Sequence, residues 1–143
     1  MKFKGNNPLV VVDTDAILAQ IFESDANHKK SLETTKYLSS LNANFVYLIT
    51  TITEATTTLQ RKFNRPDIAH ELAVTLSESD ENIREVNINI YNNATQIYRF
   101  TKSKQHTLFD CINLTYAQEI NADAIFSFDG FYKKLGFKLA SEL

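Results

Sequence analysis

Apolar positions fall along the chain in two alternating rhythms. Leu9-Val10-Val11-Val12 is a short β-branched run that predicts a buried strand ending at Asp13. Ile17, Leu18, Ile21 and Phe22 then recur at helical spacing, and the pattern breaks at residues 24–27. A second helix follows to Leu41, with Leu32, Tyr37, Leu38 and Leu41 on its apolar side. Residues 45–49 predict the second strand, followed at once by a helix through Ile52, Ala55, Leu59 and Phe63. Pro66 suits the first position of the next helix, which carries Ile68, Leu72 and Leu76. Residues 83–88 alternate and predict a third strand, and Ala94, Ile97, Tyr98 and Phe100 mark another helix. A further helix spans 108–120, a fourth strand spans 124–128 and ends at Asp129, and a short helix leads to a last strand at 137–139. Short apolar strands alternating with helices predict an α/β fold with a central, mostly parallel sheet of four to five strands.

At 143 residues the chain is expected to be a single domain, 1–143, with no repeat or linker inside it. Only three Gly and two Pro argue for long regular elements rather than a loop-rich all-β fold. A net charge of −2 counts against a passive nucleic-acid-binding module. It counts less against a nuclease whose metal ions supply positive charge locally. The single cysteine, Cys111, excludes an intrachain disulfide and any multi-cysteine zinc site. Residues 1–5 lack the apolar core of a signal peptide, and no apolar run approaches a membrane span. The expectation is a cytoplasmic protein with no membrane partner.

Ligand sites in parallel α/β sheets lie outside the carboxyl ends of the strands. Asp13 ends the first strand, Asp129 ends the fourth, and Glu54 is placed in the first turn of the helix after the second. Asp110 opens the long helix before strand four and joins them if that helix starts at the same edge. Each acid also has a structural reading. Residues 51–54 fit a capping box, residues 107–110 resemble one, and Asp13, Asp15 and Asp129 suit helix N-caps. As a set they say more. Converging carboxylates repel one another, and a hard cation such as Mg²⁺ or Mn²⁺ relieves that repulsion with oxygen ligands. Two such ions can activate water and stabilise the leaving oxygen in phosphodiester hydrolysis.

The segments Val10-Val11-Val12-Asp13-Thr14-Asp15, Thr51-Ile52-Thr53-Glu54-Ala55, Leu108-Phe109-Asp110-Cys111 and Phe126-Ser127-Phe128-Asp129-Gly130-Phe131 carry a resemblance that covers nearly the whole chain. Their ordered acids and their strand and helix contexts resemble PIN domains, particularly the VapC-like toxins of toxin–antitoxin systems. The resemblance implies a three-layer α/β/α PIN-like fold and metal-dependent endonucleolytic cleavage of RNA. It also implies a homodimer, often held by an antitoxin protein that covers the site. By that resemblance Asp13, Glu54, Asp110 and Asp129 are the catalytic, metal-binding carboxylates, with Mg²⁺ or Mn²⁺ as cofactor. Ser127 matches a small hydroxyl residue that orients a carboxylate or water, and Thr14 matches a small polar position. Asp15 departs from the pattern, where Ser, Asn or Thr is frequent; it is read first as a cap of the first helix and second as a fifth carboxylate of the site. Asn113, one turn beyond Asp110, serves either substrate contact or a buried structural amide.

Other residues receive plainer readings. Three basic clusters (Arg61, Lys62 and Arg65; Arg99, Lys102 and Lys104; Lys133, Lys134 and Lys138) can meet phosphates, but each is read as solvated surface. His106 is read as a surface-loop histidine and Cys111 as a small packed thiol. Rival functions are weaker. Asp13-Thr14-Asp15 suggests a haloacid-dehalogenase-like phosphatase with Asp13 as nucleophile, but Ile17 stands where that motif needs Thr or Val, and no later acidic pair follows. A phosphoacceptor receiver domain needs a central Asp after a strand, and Glu54 in a helix cannot serve. A non-catalytic PIN-like interaction protein would have lost acids, and here all four positions are filled.

Overall fold

A computed structural model describes residues 7–79 and 81–143, so the N-terminal residues 1–5 considered above lie outside the described part. The elements run β1 (Leu9–Val12), α1 (Thr14–Ile21), α2 (His28–Ser40), β2 (Asn44–Leu48), α3 (Ile49–Arg61) and α4 (Pro66–Glu78). They continue with β3 (Asn82–Arg84), α5 (Ile88–Arg99), α6 (Leu108–Glu119), β4 (Ala124–Phe126), α7 (Gly130–Lys134) and a final 3-10 turn at Ala140–Glu142.

The four strands form one parallel sheet in the order β3-β2-β1-β4. β1 lies between β2 and β4, so the chain winds one way through β3 and then returns to add β4 on the other side. That reversal makes a switch point between the carboxyl ends of β1 and β4, the crevice where such sheets bind ligands.

Strand pleating sends alternate side chains to opposite faces. Val10 and Val12 of β1 pack with Ala16, Ile17, Leu38, Ala55, Ala124 and Phe126 on one face. Val11 packs with Leu48, Ile90, Leu114, Ile125 and Tyr132 on the other. The sheet is therefore covered on both faces, which gives the three-layer α/β/α arrangement. It also explains why β1 is apolar at consecutive positions rather than alternating. Asn42, Asn64 and Asn121 take positive φ (53°, 51° and 52°) just beyond α2, α3 and α6. Asparagine thus closes helices here in the left-handed conformation that glycine commonly supplies, so a chain poor in glycine still turns sharply.

Two expected strands are corrected. The alternation at 83–88 gives only three strand residues, Asn82–Arg84, and Ile88 opens α5 instead. Asn87 ends the extended stretch by accepting the Ile90 amide at 3.0 Å, an N-cap. The last strand reduces to a single parallel bridge between Ile125 and Leu139. Among the described residues no helix is long and apolar enough to cross a membrane.

Candidate metal centre

The sheet delivers the acids to one edge. The Asp13 amide donates to Phe126 O at 3.0 Å, so the β1–β4 ladder continues to the residue that bears the carboxylate. Asp13 is only 4% exposed and is the N-cap of α1. Its Oδ1 accepts from the Thr14 amide at 2.7 Å and from Asn113 Nδ2 at 2.9 Å, and its Oδ2 accepts from the Tyr132 hydroxyl at 2.6 Å. Burial raises its carboxyl well above the usual range, Asp15 and then Asp110 raise it further, and the Tyr132 hydrogen bond opposes them.

Asp15 does not cap α1, contrary to the first reading. Its side chain crosses to the loop after β4, where Oδ2 accepts from Ser127 Oγ at 3.0 Å and from the Phe128 amide at 2.8 Å. Its Oδ1 is buried with no hydrogen-bond partner among the described residues. Burial pushes the Asp15 carboxyl up to about 6, with Asp129 adding to the rise. Ser127 passes the connection on, because its Oγ also accepts the Asp129 amide at 3.0 Å.

Glu54 lies in the second turn of α3 rather than the first, because the helix opens at Ile49 directly after β2 and has no side-chain cap. The proposed 51–54 capping box therefore does not form. Thr51 is instead buried, and its hydroxyl donates to Asn113 Oδ1 at 3.1 Å. Burial raises the Glu54 carboxyl, the Thr14 hydroxyl lowers it, and Asp110 and Asp15 raise it again.

Asp110 does act in the capping box at the start of α6, its Oδ2 accepting the Thr107 amide at 2.7 Å. Its Oδ1 stands 3.5 Å from the Tyr132 hydroxyl. Burial raises its carboxyl, the Thr107 amide lowers it, and Asp129 raises it. Asp129 caps α7 through the Phe131 amide at 3.0 Å, and the same Oδ1 meets His106 Nε2 at 3.1 Å. His106 is thus not a free surface residue: its ring stacks on Phe131 with centroids 4.5 Å apart and its side chain is 17% exposed.

Capping and site geometry are compatible, since Asp13, Asp110 and Asp129 do the first while facing one another. Neighbouring acids raise Asp13, Asp15, Glu54 and Asp110, and every one of those neighbours belongs to the same set of five acids with Asp129. Among the described residues no group of three His, Cys, Asp or Glu side chains is placed so that it could hold a metal ion. The hydrogen bonds explain this: amides, Tyr132 and His106 hold the carboxylates in place. The donor chemistry nonetheless fits a hard divalent cation, being all oxygen with mutual repulsion and a buried Asp15 Oδ1 that lacks a partner. A surface depression of about 400 Å³ lined by Asn93, Ile97, Thr115, Gln118 and Glu119 involves none of these acids.

Two participants were not assigned to the site from the sequence. Tyr132 looked like an ordinary aromatic at an apolar position, and its only signal was a polar tip three residues after Asp129. His106 had no local signal, because its partners are 23 and 25 residues away in the chain. Cys111 is, as expected, a buried packed thiol.

No family model and no curated protein matches the sequence. Among solved structures, VapC20 of Mycobacterium tuberculosis, a sarcin–ricin loop cleaving toxin, is similar with a TM-score of 0.76 at 16% identity. The match covers 90% of this chain and 95% of that one. The expected architecture therefore holds over nearly the whole chain, and its fold is PIN-like, shared with that toxin.

Proposed function

We propose that the chain is a metal-dependent endoribonuclease, working as the toxin of a toxin–antitoxin pair. What supports this reading is the mutual repulsion among Asp13, Asp15, Glu54, Asp110 and Asp129 at the carboxyl edge of a fold shared with a sarcin–ricin loop cleaving toxin. Asp13, Glu54, Asp110 and Asp129 would hold Mg²⁺ or Mn²⁺, with Asp15 beside them. A bound cation supplies charge neutralisation at the scissile phosphate and lowers the pKa of an attacking water. The chain's own residues do the rest. Asn113 and Tyr132 hold Asp13, and Ser127 ties Asp15 to Asp129. His106 steadies Asp129 at the mouth of the site. Thr14 shares its hydroxyl between Thr51 O, at 3.5 Å, and Glu54. RNA is the substrate, a second copy of the chain and an antitoxin are the protein partners, and the cytoplasm is the setting.

The phosphatase alternative fits poorly. Both oxygens of Asp13 are committed to hydrogen bonds and the residue is buried, a poor state for a nucleophile. A mixed cellular RNA pool incubated with Mg²⁺ or Mn²⁺ should yield discrete fragments, absent with EDTA and absent with Asp13→Asn. No fragments with either metal, together with no Mn²⁺ binding by calorimetry, would transfer the assignment to a non-catalytic PIN-like interaction protein.

A further inference from the structure

Asp13 is the most heavily engaged of the acids. An ionised carboxylate offers about four lone-pair directions, so three accepted hydrogen bonds leave roughly one. Two of those bonds come from its own helix start and from Asn113, and the third comes from Tyr132 on α7. Tyr132 is 0% exposed, and its hydroxyl also lies 3.3 Å from Asn113 Nδ2 and 3.5 Å from Asp110 Oδ1.

The network has one direction. The Thr51 hydroxyl donates to Asn113 Oδ1, which turns the Asn113 amide nitrogen toward Asp13 and the Tyr132 oxygen. With the Asn113 nitrogen donating to it, the phenol points its own proton at Asp13 Oδ2. Each buried polar group is thereby satisfied, and α3, α6 and α7 all bear on one carboxylate. Phenylalanine would fill the same space without the cost of burying a hydroxyl. The oxygen therefore matters for what it holds rather than for packing.

We propose, resting on the reading that this edge takes a divalent cation, that Tyr132 is a positioning residue. Its hydroxyl fixes the rotation of the Asp13 carboxylate and leaves a single oxygen face for the cation. Partners of this kind, one bond removed from a metal, commonly set affinity by about 10–100-fold. Nothing in the proposal requires Tyr132 to touch RNA.

The test is a Mn²⁺ titration of the full chain by calorimetry, with near-ultraviolet difference spectra and melting curves alongside. The chain has six Tyr and no Trp, so tyrosine dominates that spectral region. Among the described hydrogen bonds, Tyr132 is the tyrosine that donates to one of the acids. Wild type should show a tyrosine difference signal that saturates with the binding isotherm. Tyr132→Phe should lose that signal and bind Mn²⁺ about 10–100-fold more weakly. Tyr98→Phe, at a site 46% exposed, should keep both. Wild-type affinity in folded Tyr132→Phe overturns the proposal. If Tyr132→Phe does not fold, the wild-type spectrum decides: no tyrosine change at Mn²⁺ saturation overturns the proposal as well. A wild-type chain that takes no Mn²⁺ fails the metal reading itself and removes this proposal with it, a different result from unchanged affinity in the variant.

Discussion

Carboxylates in two regions of this chain are shifted in opposite directions. At the start of α4, Asp67 is exposed and receives a two-pronged bond from Arg65, Nε at 3.0 Å and Nη2 at 2.8 Å. The guanidinium hydrogen bonds hold its carboxyl down at about 2. At the carboxyl edge of the sheet, Asp13, Asp15, Glu54 and Asp110 are all raised, chiefly by burial and then by neighbouring acids, Asp129 among them. Among the described residues no Lys or Arg offsets the rise of any of the four. The first arrangement is an ordinary surface pair of small value. The second works against the fold, because a chain selected only for stability would have paired or removed those charges. Concentrated carboxylate repulsion at a switch point is what the proposed cation would relieve.

The largest consequence concerns activity. Asp13→Asn keeps the volume and much of the hydrogen bonding but removes the central negative charge. Losing several kcal/mol of metal-borne transition-state stabilisation corresponds to about a 1000-fold or greater fall in RNA cleavage. Initial rates on a common RNA substrate measure it. A variant cutting within threefold of wild type, taken as a rough limit of assay error, would detach the acid edge from the chemistry.

Next comes the pH dependence of stability. Asp15 titrates near 6 in the folded protein, above its ordinary value of 3.8. The native state therefore holds more protons than the unfolded chain between those values, and stability falls as pH rises through that window. Full expression of this one shift is on the order of 3 kcal/mol. Asp13, Glu54 and Asp110 act in the same direction. Chemical denaturation in EDTA at pH 5 and pH 7.5 should show the loss, and Mn²⁺ should restore more at pH 7.5 than at pH 5. Equal stability at both pH values in EDTA would remove the repulsion from the account.

Asp15→Asn sharpens the same contrast on a smaller scale. The amide oxygen still accepts from Ser127 and Phe128, while the charge is gone and an NH2 group takes the place of the unpartnered oxygen. Without divalent metal at pH 7.5 the melting temperature should rise by about 3–6 °C, equivalent to about 1–2 kcal/mol. A fall would mean that Asp15 serves mainly as a tether for the β4–α7 loop. The smallest effect belongs to the other region: Asp67→Asn should leave the melting temperature and RNA cleavage unchanged within error.

Much of this was legible in the sequence, and the exceptions share a cause. The strands at Leu9–Val12, Asn44–Leu48 and Ala124–Phe126 showed as apolar runs because both sheet faces are covered. The acids at their ends followed from the general rule for parallel sheets. The 83–88 segment misled because six alternating residues fit a strand, although Asn87 carried a cap signal just before Ile88. Glu54 was displaced by a turn because Thr51 resembled a cap, whereas Ile49 had already begun α3. Asp15, His106 and Tyr132 were misjudged or passed over for another reason. Their defining partners, Ser127, Asp129 and Asp13, lie 112, 23 and 119 residues away, where local pattern says nothing.

The most direct measurement is the anomalous diffraction signal of crystals grown or soaked with Mn²⁺. The account predicts a peak at the β1–β4 switch point, about 2.1 Å from oxygens of Asp13 and of at least one of Glu54, Asp110 and Asp129. Well-ordered crystals at saturating Mn²⁺ with no peak there, or with Mn²⁺ bound only elsewhere, would contradict it.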